Sequence, residues 1–223
     1  TLSLHDALPI FKVQKRNPQR VSIDLDGEYA FGLARMTAAW LKVGDVLSEE
    51  RVVVLQREDA VEVAFQRALR LIGHRPRSEQ EVSQRLAKLN FSPDQVEQVI
   101  AKLKASNLIE DEKFARMWVE NRLEFHPRSL RLIRYELLHK GIAEEHIEQA
   151  LQETEDEQDL ARRAAVAYAR RLENYENQVY RNRLSGYLAR RGFSYGTIAP
   201  LVNELLAERE LTRTETDINL EDG

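Results

Sequence analysis

The sequence predicts a mainly α protein: three tandem three-helix repeats, solenoid-like, preceded by a small β-hairpin or meander extension. Three observations carry this. Pro76-Arg77-Ser78 superimposes without a gap on Pro127-Arg128-Ser129, an offset of 51 residues. At the same offset, Val96 to Ile100 falls on Ile147 to Leu151, and one step further lands on Ile198 to Val202. The third observation is a change of period, from alternation of two before about residue 34 to helical spacing after residue 58.

The β segment comes first. Phe11, Val13 and Lys15 alternate with polar neighbours, as do Val21, Ile23 and Leu25, and then Tyr29, Phe31 and Leu33. Asn17-Pro18 and Asp26-Gly27 supply turns between these runs. Asp24-x-Asp26-Gly27 has the opening of a calcium loop but lacks the later ligands, so a hairpin turn is expected there. Gly44-Asp45 breaks the chain, and Ser48-Glu49-Glu50 starts a short helix. Residues 1–8 show no period and are assigned no function.

The repeat frame divides the chain into an extension with its linker helix (1–57), repeats at 58–108, 109–159 and 160–210, and a polar tail, 211–223, expected to be disordered. First helices are expected at Asp59–Gly73, Asp111–Glu124 and Leu160–Asn174. Val63, Leu69 and Ile72 mark the apolar face of one, and Phe114, Trp118 and Leu123 that of the next. The second helix of repeat one opens with Ser78 and Glu81, a capping-box pair. Its stripe is Val82, Leu86 and Leu89, with equivalents Ile133, Leu137 and Lys140, then Leu184, Leu188 and Arg191. Asn90, Gly141 and Gly192 share the position after it, and these residue types tolerate the left-handed backbone that ends a helix. Phe91, Ile142 and Phe193 follow as apolar anchors, and Ser92-Pro93-x-Gln95 opens a third helix. No such pair of helices buries its stripe alone; stacking the units does.

Composition narrows the function classes. The 223 residues are 43% hydrophobic but only 7% aromatic, which suits helices packed on Leu, Val and Ala. A net charge of −4 excludes a basic footprint over the whole chain, so any nucleic-acid surface must come from local segregation. The absence of cysteine excludes disulfides and thiolate metal sites. No apolar run approaches the roughly 20 residues of a membrane span, and no charged-apolar-small leader is present, so a soluble cytoplasmic protein is expected. Glycines do not fall in phosphate-loop spacing, there is no GxSxG elbow, and no histidine has a metal-ligand partner at i+4. His5, His74, His126, His139 and His146 read as surface or interface residues, and Trp40 and Trp118 as core. No cofactor, metal or catalytic residue is expected.

Charge does segregate with the repeat. Residues 75–91 hold Arg75, Arg77, Arg85 and Lys88 against two acids. Residues 126–142 hold Arg128, Arg131, Arg134 and Lys140 against one, and residues 177–193 hold Arg181, Arg183, Arg190 and Arg191 against none. These twelve cations are the candidate partner or DNA contacts. A periodic basic helix can follow phosphates or the acidic groove of a filament; the alternative is a solvated face balanced by intramolecular pairs. Residues 143–159 carry eight acids, so the middle repeat follows its basic helix with an acidic stretch.

These residues also match a family. Ala68-Leu69-Arg70-Leu71-Ile72-Gly73-His74-Arg75-Pro76-Arg77-Ser78, with Glu81-Val82 and Leu86, resembles the opening repeat of the RecX family, bacterial regulators of the RecA recombinase. Leu108 to Ala115 resembles that family's G-L-I-D-D-x-x-F-A segment, with Asn107 in place of glycine. Arg128 through Glu136-Leu137, Lys140-Gly141-Ile142 and Ile147 to Leu151 resembles its second repeat, and residues 14–17 and 26–32 resemble an N-terminal extension of some members. The resemblance covers about residues 10 to 210. It implies a non-enzymatic, monomeric modulator of DNA repair and the SOS response. Such a protein lies in the groove of the RecA–single-stranded-DNA filament and lowers ATPase, strand-exchange and coprotease activity. Bound in series, weak contacts at fixed spacing give avidity. Two other readings remain: a stand-alone helix-turn-helix-like DNA-binding module, and a helical scaffold for another protein. The neutral-to-acidic third helices argue against base reading.

Overall fold

The computed structural model describes residues 9–15, 17–25, 27–42, 45–152 and 154–221. Residues 1–8 with His5, Asp26 of the hairpin turn and the Gly44 break lie outside them. The chain forms two compact units, Thr1–Glu110 and Asp111–Gly223.

In the first unit, β1 (Pro9–Gln14), β2 (Asn17–Leu25) and β3 (Glu28–Ala34) make an antiparallel meander in that order. Val21, Ile23, Leu25, Phe31 and Leu33 point to one face and are buried. Tyr29, expected on that face, is exposed. The register shifts between Ile23 and Asp24: Phe31 pairs with Ile23 but Tyr29 with Asp24, so the extra residue in β3 turns Tyr29 off the buried face while Leu25 of β2 stays on it. Val13 is exposed too, at the end of an edge strand beside a second register shift. Asn17 and Pro18 begin β2 instead of making the turn. Proline, lacking an N–H, is tolerated at a strand's start. Gly27 takes φ 87° in the second turn. Asp24 is buried and accepts from Lys12 Nζ at 2.7 Å, an ion pair within the sheet.

A short α1 (Arg35–Ala38) leads towards α2 (Glu49–His74), capped by Ser48. The sequence predicts two helices here, a short one at Ser48 and another from Asp59. They are one, because nothing between Glu50 and Gly73 breaks a helix and both halves have a core to bury. Val52 and Leu55 join the sheet core, while Ala64 and Ala68 join the core of repeat one. Between these halves Asp59 is buried and accepts from Arg20 Nη2 at 2.9 Å and from Ala34 N, which ties the helix to β2 and β3. Trp40, read as core from the sequence, is 85% exposed. It lies two residues past the end of α1, where no described element covers it.

Repeat one continues with α3 (Glu79–Ala87) and α4 (Pro93–Ala105), each opened by a complete capping box, Ser78 with Glu81 and Ser92 with Gln95. Val82 and Leu86 are buried; Leu89, the third expected member of the stripe, is exposed because α3 has ended before it. The second unit holds α5 (Asp111–Phe125), α6 (Leu130–Leu138), α7 (Glu144–Leu151), α8 (Glu157–Ala169), a 3-10 turn (Arg170–Leu172), α9 (Asn177–Arg190) and α10 (Tyr195–Glu221). The core of repeat two centres on Phe114, Val119, Ile133, Leu137 and Ile147. That of repeat three centres on Leu160, Leu184, Leu188, Phe193 and Val202. Leu123 and Leu130 touch both, so the two repeats share packing. The helix α10 runs on to Glu221, where the sequence predicts a disordered tail from residue 211. A helix already nucleated by packing at Ile198 to Leu206 extends at little further cost.

Candidate functional site

The second helix of every repeat ends in the same way. Asn90, Gly141 and Gly192 have φ of 63°, 76° and 86°. Each donates its N–H to the carbonyl three residues back: Ala87 at 3.0 Å, Leu138 at 2.9 Å and Ala189 at 2.9 Å. The following anchors, Phe91, Ile142 and Phe193, donate to Leu86, Leu137 and Leu188. This is the Schellman geometry, and it turns the anchor inward. Ile142 and Phe193 are buried and Phe91 half-buried. Asn107 ends α4 likewise, with φ 52°.

On this common scaffold the candidate cations have different surroundings. In the first unit, Arg75 grips Glu81 through both terminal nitrogens, at 3.1 and 2.9 Å, and Arg77 approaches it at 4.0 Å. Glu81 thus neutralises two cations besides capping α3. Arg85 and Lys88 are exposed and have no ion pair among the described residues.

In the second unit, Glu136 of α6 is the hub. It accepts from Arg122 Nε at 2.8 Å and Trp118 Nε1 at 2.9 Å, and pairs with Arg128. Arg122 also lies over the Trp118 ring at 4.0 Å, with Lys140 over the same ring at 4.2 Å. Burial lowers the pKa of Arg122. It lowers that of Arg128 too, with further lowering from the charges of Arg122 and Arg191. All remain protonated, since arginine titrates far above neutrality. Arg134 pairs with Glu148 at 2.9 Å and with Glu144, so the acidic stretch of α7 neutralises the outer side of α6.

The α9 arginines meet no carboxylate among the described residues. Arg181 donates to the Asn203 amide oxygen at 2.8 Å. Arg183 lies 4.3 Å over Tyr175, and Arg191 lies 4.2 Å over Tyr187, which is itself stacked on Tyr168 at 3.9 Å. Arg190 is exposed without an ion pair among the described residues. Rings and amides orient these side chains while leaving their charge in place.

The end of α9 also docks on the start of α6. Ser129 N donates to Arg191 O at 3.0 Å, and Arg131 reaches Gly192 O at 3.4 Å. A Cβ on Gly192 would lie 2.5 Å from Ser129 Oγ and 2.7 Å from Leu132 Cβ. Arg128, Arg131 and Arg191 are therefore gathered at this junction. Arg181 and Arg183 are held elsewhere, by Asn203 and Tyr175, and Arg134 and Lys140 are drawn off to other partners. Sequence reasoning missed Arg122, although its i+4 spacing from Trp118 on α5 was visible. Trp118, expected as core, does pack on the core of repeat two, and its indole also serves as a platform for two cations. His139 packs on Tyr135 with ring centroids 3.9 Å apart. No group of three or more His, Asp or Glu able to hold a metal, and no helix long and apolar enough to cross a membrane, occurs among the described residues.

Serial three-helix modules with matched caps and a charged outer face define a tandem helix-repeat protein. Comparison with known proteins narrows the class. Models of the RecX first, second and third three-helix domains match residues 64–103, 111–151 and 155–201 in turn. A "Regulatory protein RecX" of Bacillus pumilus is 32% identical over 208 residues, covering 91% of this chain and 78% of that protein. Another of that name from Clostridium botulinum strain Eklund 17B is 29% identical over 201 residues, covering 87% and 94%. A crystal structure of regulatory protein RecX superimposes with a TM-score of 0.68 at 26% identity, covering 88% of this chain and 99% of that one. The chain belongs to the RecX family of regulatory proteins.

Proposed function

We propose that this chain is a non-enzymatic, cytoplasmic regulator of the RecA recombinase. It binds the RecA–single-stranded-DNA filament as a monomer and lowers its ATPase, strand-exchange and coprotease activities, with consequences for DNA repair and the SOS response. Family membership supports the partner. The observation that carries the mode of binding is α9: four arginines without a carboxylate partner among the described residues, three of them, Arg183, Arg191 and Arg181, held by Tyr175, Tyr187 and Asn203. Such a helix presents fixed positive charge to phosphate or to an acidic protein groove without first breaking an internal ion pair. Arg85, Lys88 and Arg131 are secondary contacts in the same reading; Arg75, Arg77, Arg128 and Arg134 are already engaged with acids, and Lys140 lies over Trp118.

The test is the single-stranded-DNA-dependent ATPase of RecA, measured with increasing amounts of this protein. The rate should fall in proportion to the protein added. An unchanged rate at several-fold excess over RecA sinks the proposal. A base-reading helix-turn-helix module is less well supported, because α7, in the position of a reading helix, carries Glu144, Glu145 and Glu148.

A further inference from the structure

Between the N-terminal sheet and α2 lies a cleft of about 470 Å³. Its walls are the ends of β2 and β3 with the start of α1 (Asn17, Gln19, Arg20, Ala34, Arg35 and Met36) and a stripe of α2. That stripe, Glu62, Val63, Gln66, Arg67 and Arg70, has the i, i+4, i+8 spacing of one helix face. Asp59, one turn earlier on it, fixes the geometry by binding Arg20 and Ala34 N.

Charge in the cleft is one-sided. Arg20 is matched by Asp59, and Glu62 by Lys102 at 3.3 Å. Arg35, Arg67 and Arg70 are exposed and have no ion pair among the described residues. A chain of net charge −4 therefore concentrates three unmatched guanidiniums around one concave surface. Like charges so placed repel one another, and an anion between them relieves the repulsion. Arginine forks match phosphate oxygens two at a time, and the amides of Asn17, Gln19 and Gln66 add donors. The apolar lining is only Ala34, Met36 and Val63, too little to anchor a peptide by its side chains. Phosphodiester contacts need no such anchor. The volume lies in the range of about 300–1,000 Å³ of small-ligand sites, which suits a segment of single strand and not a duplex.

We infer that the cleft between the sheet and α2 binds the phosphodiester backbone of single-stranded nucleic acid. This goes beyond the RecA proposal, and its test contains no recombinase, so the two fail separately. Binding of a labelled oligothymidylate to the full chain is followed by fluorescence anisotropy across a salt series, for the unaltered protein and for R35Q/R67Q/R70Q. All three side chains are exposed, so helicity by circular dichroism should be unchanged; if it is not, R67E and R70E are measured singly. The triple variant should bind about tenfold or more weakly, and its log-log salt slope should be shallower by about two, the loss of three single-strand phosphate contacts. Equal affinity and slope in a folded variant overturn the inference, as does an unaltered protein that fails to bind at low salt. Tighter binding of an acidic peptide of equal charge, lost in the same variant, reassigns the cleft to a protein partner and overturns it too.

Discussion

Helices α6 and α9 are the same part built twice. Each buries two aliphatic residues one turn apart, Ile133 and Leu137 in α6, Leu184 and Leu188 in α9, and each ends in a left-handed glycine followed by a buried anchor. Their arginines nevertheless differ in what they can do. Arg128 and Arg134 are engaged by Glu136, Glu144 and Glu148, while Arg181, Arg183 and Arg191 rest on an amide and two tyrosines. The difference arises from the neighbours: α7 turns Glu144 and Glu148 to Arg134, whereas α10 commits Glu204 and Glu208 to Arg162 and Glu210 to Asn177, and offers Asn203 to Arg181. Counting charges along a helix therefore overstates its available charge wherever the next helix carries the counter-ions.

The largest expected effect breaks the joint between the two helices. Gly192→Ala adds a Cβ that collides with Ser129 and Leu132, at a φ that disfavours any side chain. It should cost about 3 kcal/mol, combining overpacking and backbone strain, read as a lower urea midpoint for the unfolding of the second unit. Next comes Glu136→Gln, which leaves Arg122 and Arg128 without their counter-charge. With side chains only 15% and 14% exposed, the Arg122–Glu136 pair is mostly shielded from water. Its loss should destabilise by about 2 kcal/mol, detected in the same titration, and should make α6 more like α9 in its affinity for polyanions. A smaller effect is expected from reversing Arg181, Arg183, Arg190 and Arg191 to Glu. Filament binding should weaken by about tenfold, or 1.4 kcal/mol, with reduced salt dependence and intact helicity; Arg134→Glu in α6 should barely change it. Equal losses from both would erase the distinction between the two helices.

Local features were legible in the sequence. The capping boxes at Ser78 and Ser92 and the left-handed caps at Asn90, Gly141 and Gly192 depend on residues within five positions of one another. The repeat spacing made them stand out. What the sequence hid depends on distant partners. The convergence of Arg122 and Arg128 on Glu136, the docking of Gly192 against Ser129 and the pairing of Arg134 with α7 join separate helices. The fusion of two expected helices into α2 has the same origin, since two separate cores reward its continuity. The exposure of Trp40 shows the converse: an apolar residue is core only if something arrives to cover it. For the candidate site, the twelve cations were visible, but which of them carry uncompensated charge was not.

The shared helix α2 has a thermodynamic consequence. One end is rooted in the sheet core and the other in the core of repeat one, and Asp59 pins it near the middle. The two cores are thus linked as one cooperative equilibrium, with a 26-residue rod as the common term. A ligand that clasps the sheet to this rod favours only the state in which both are folded. Its binding energy is then felt in the first repeat as added resistance to unfolding, some distance along the helix from the ligand itself.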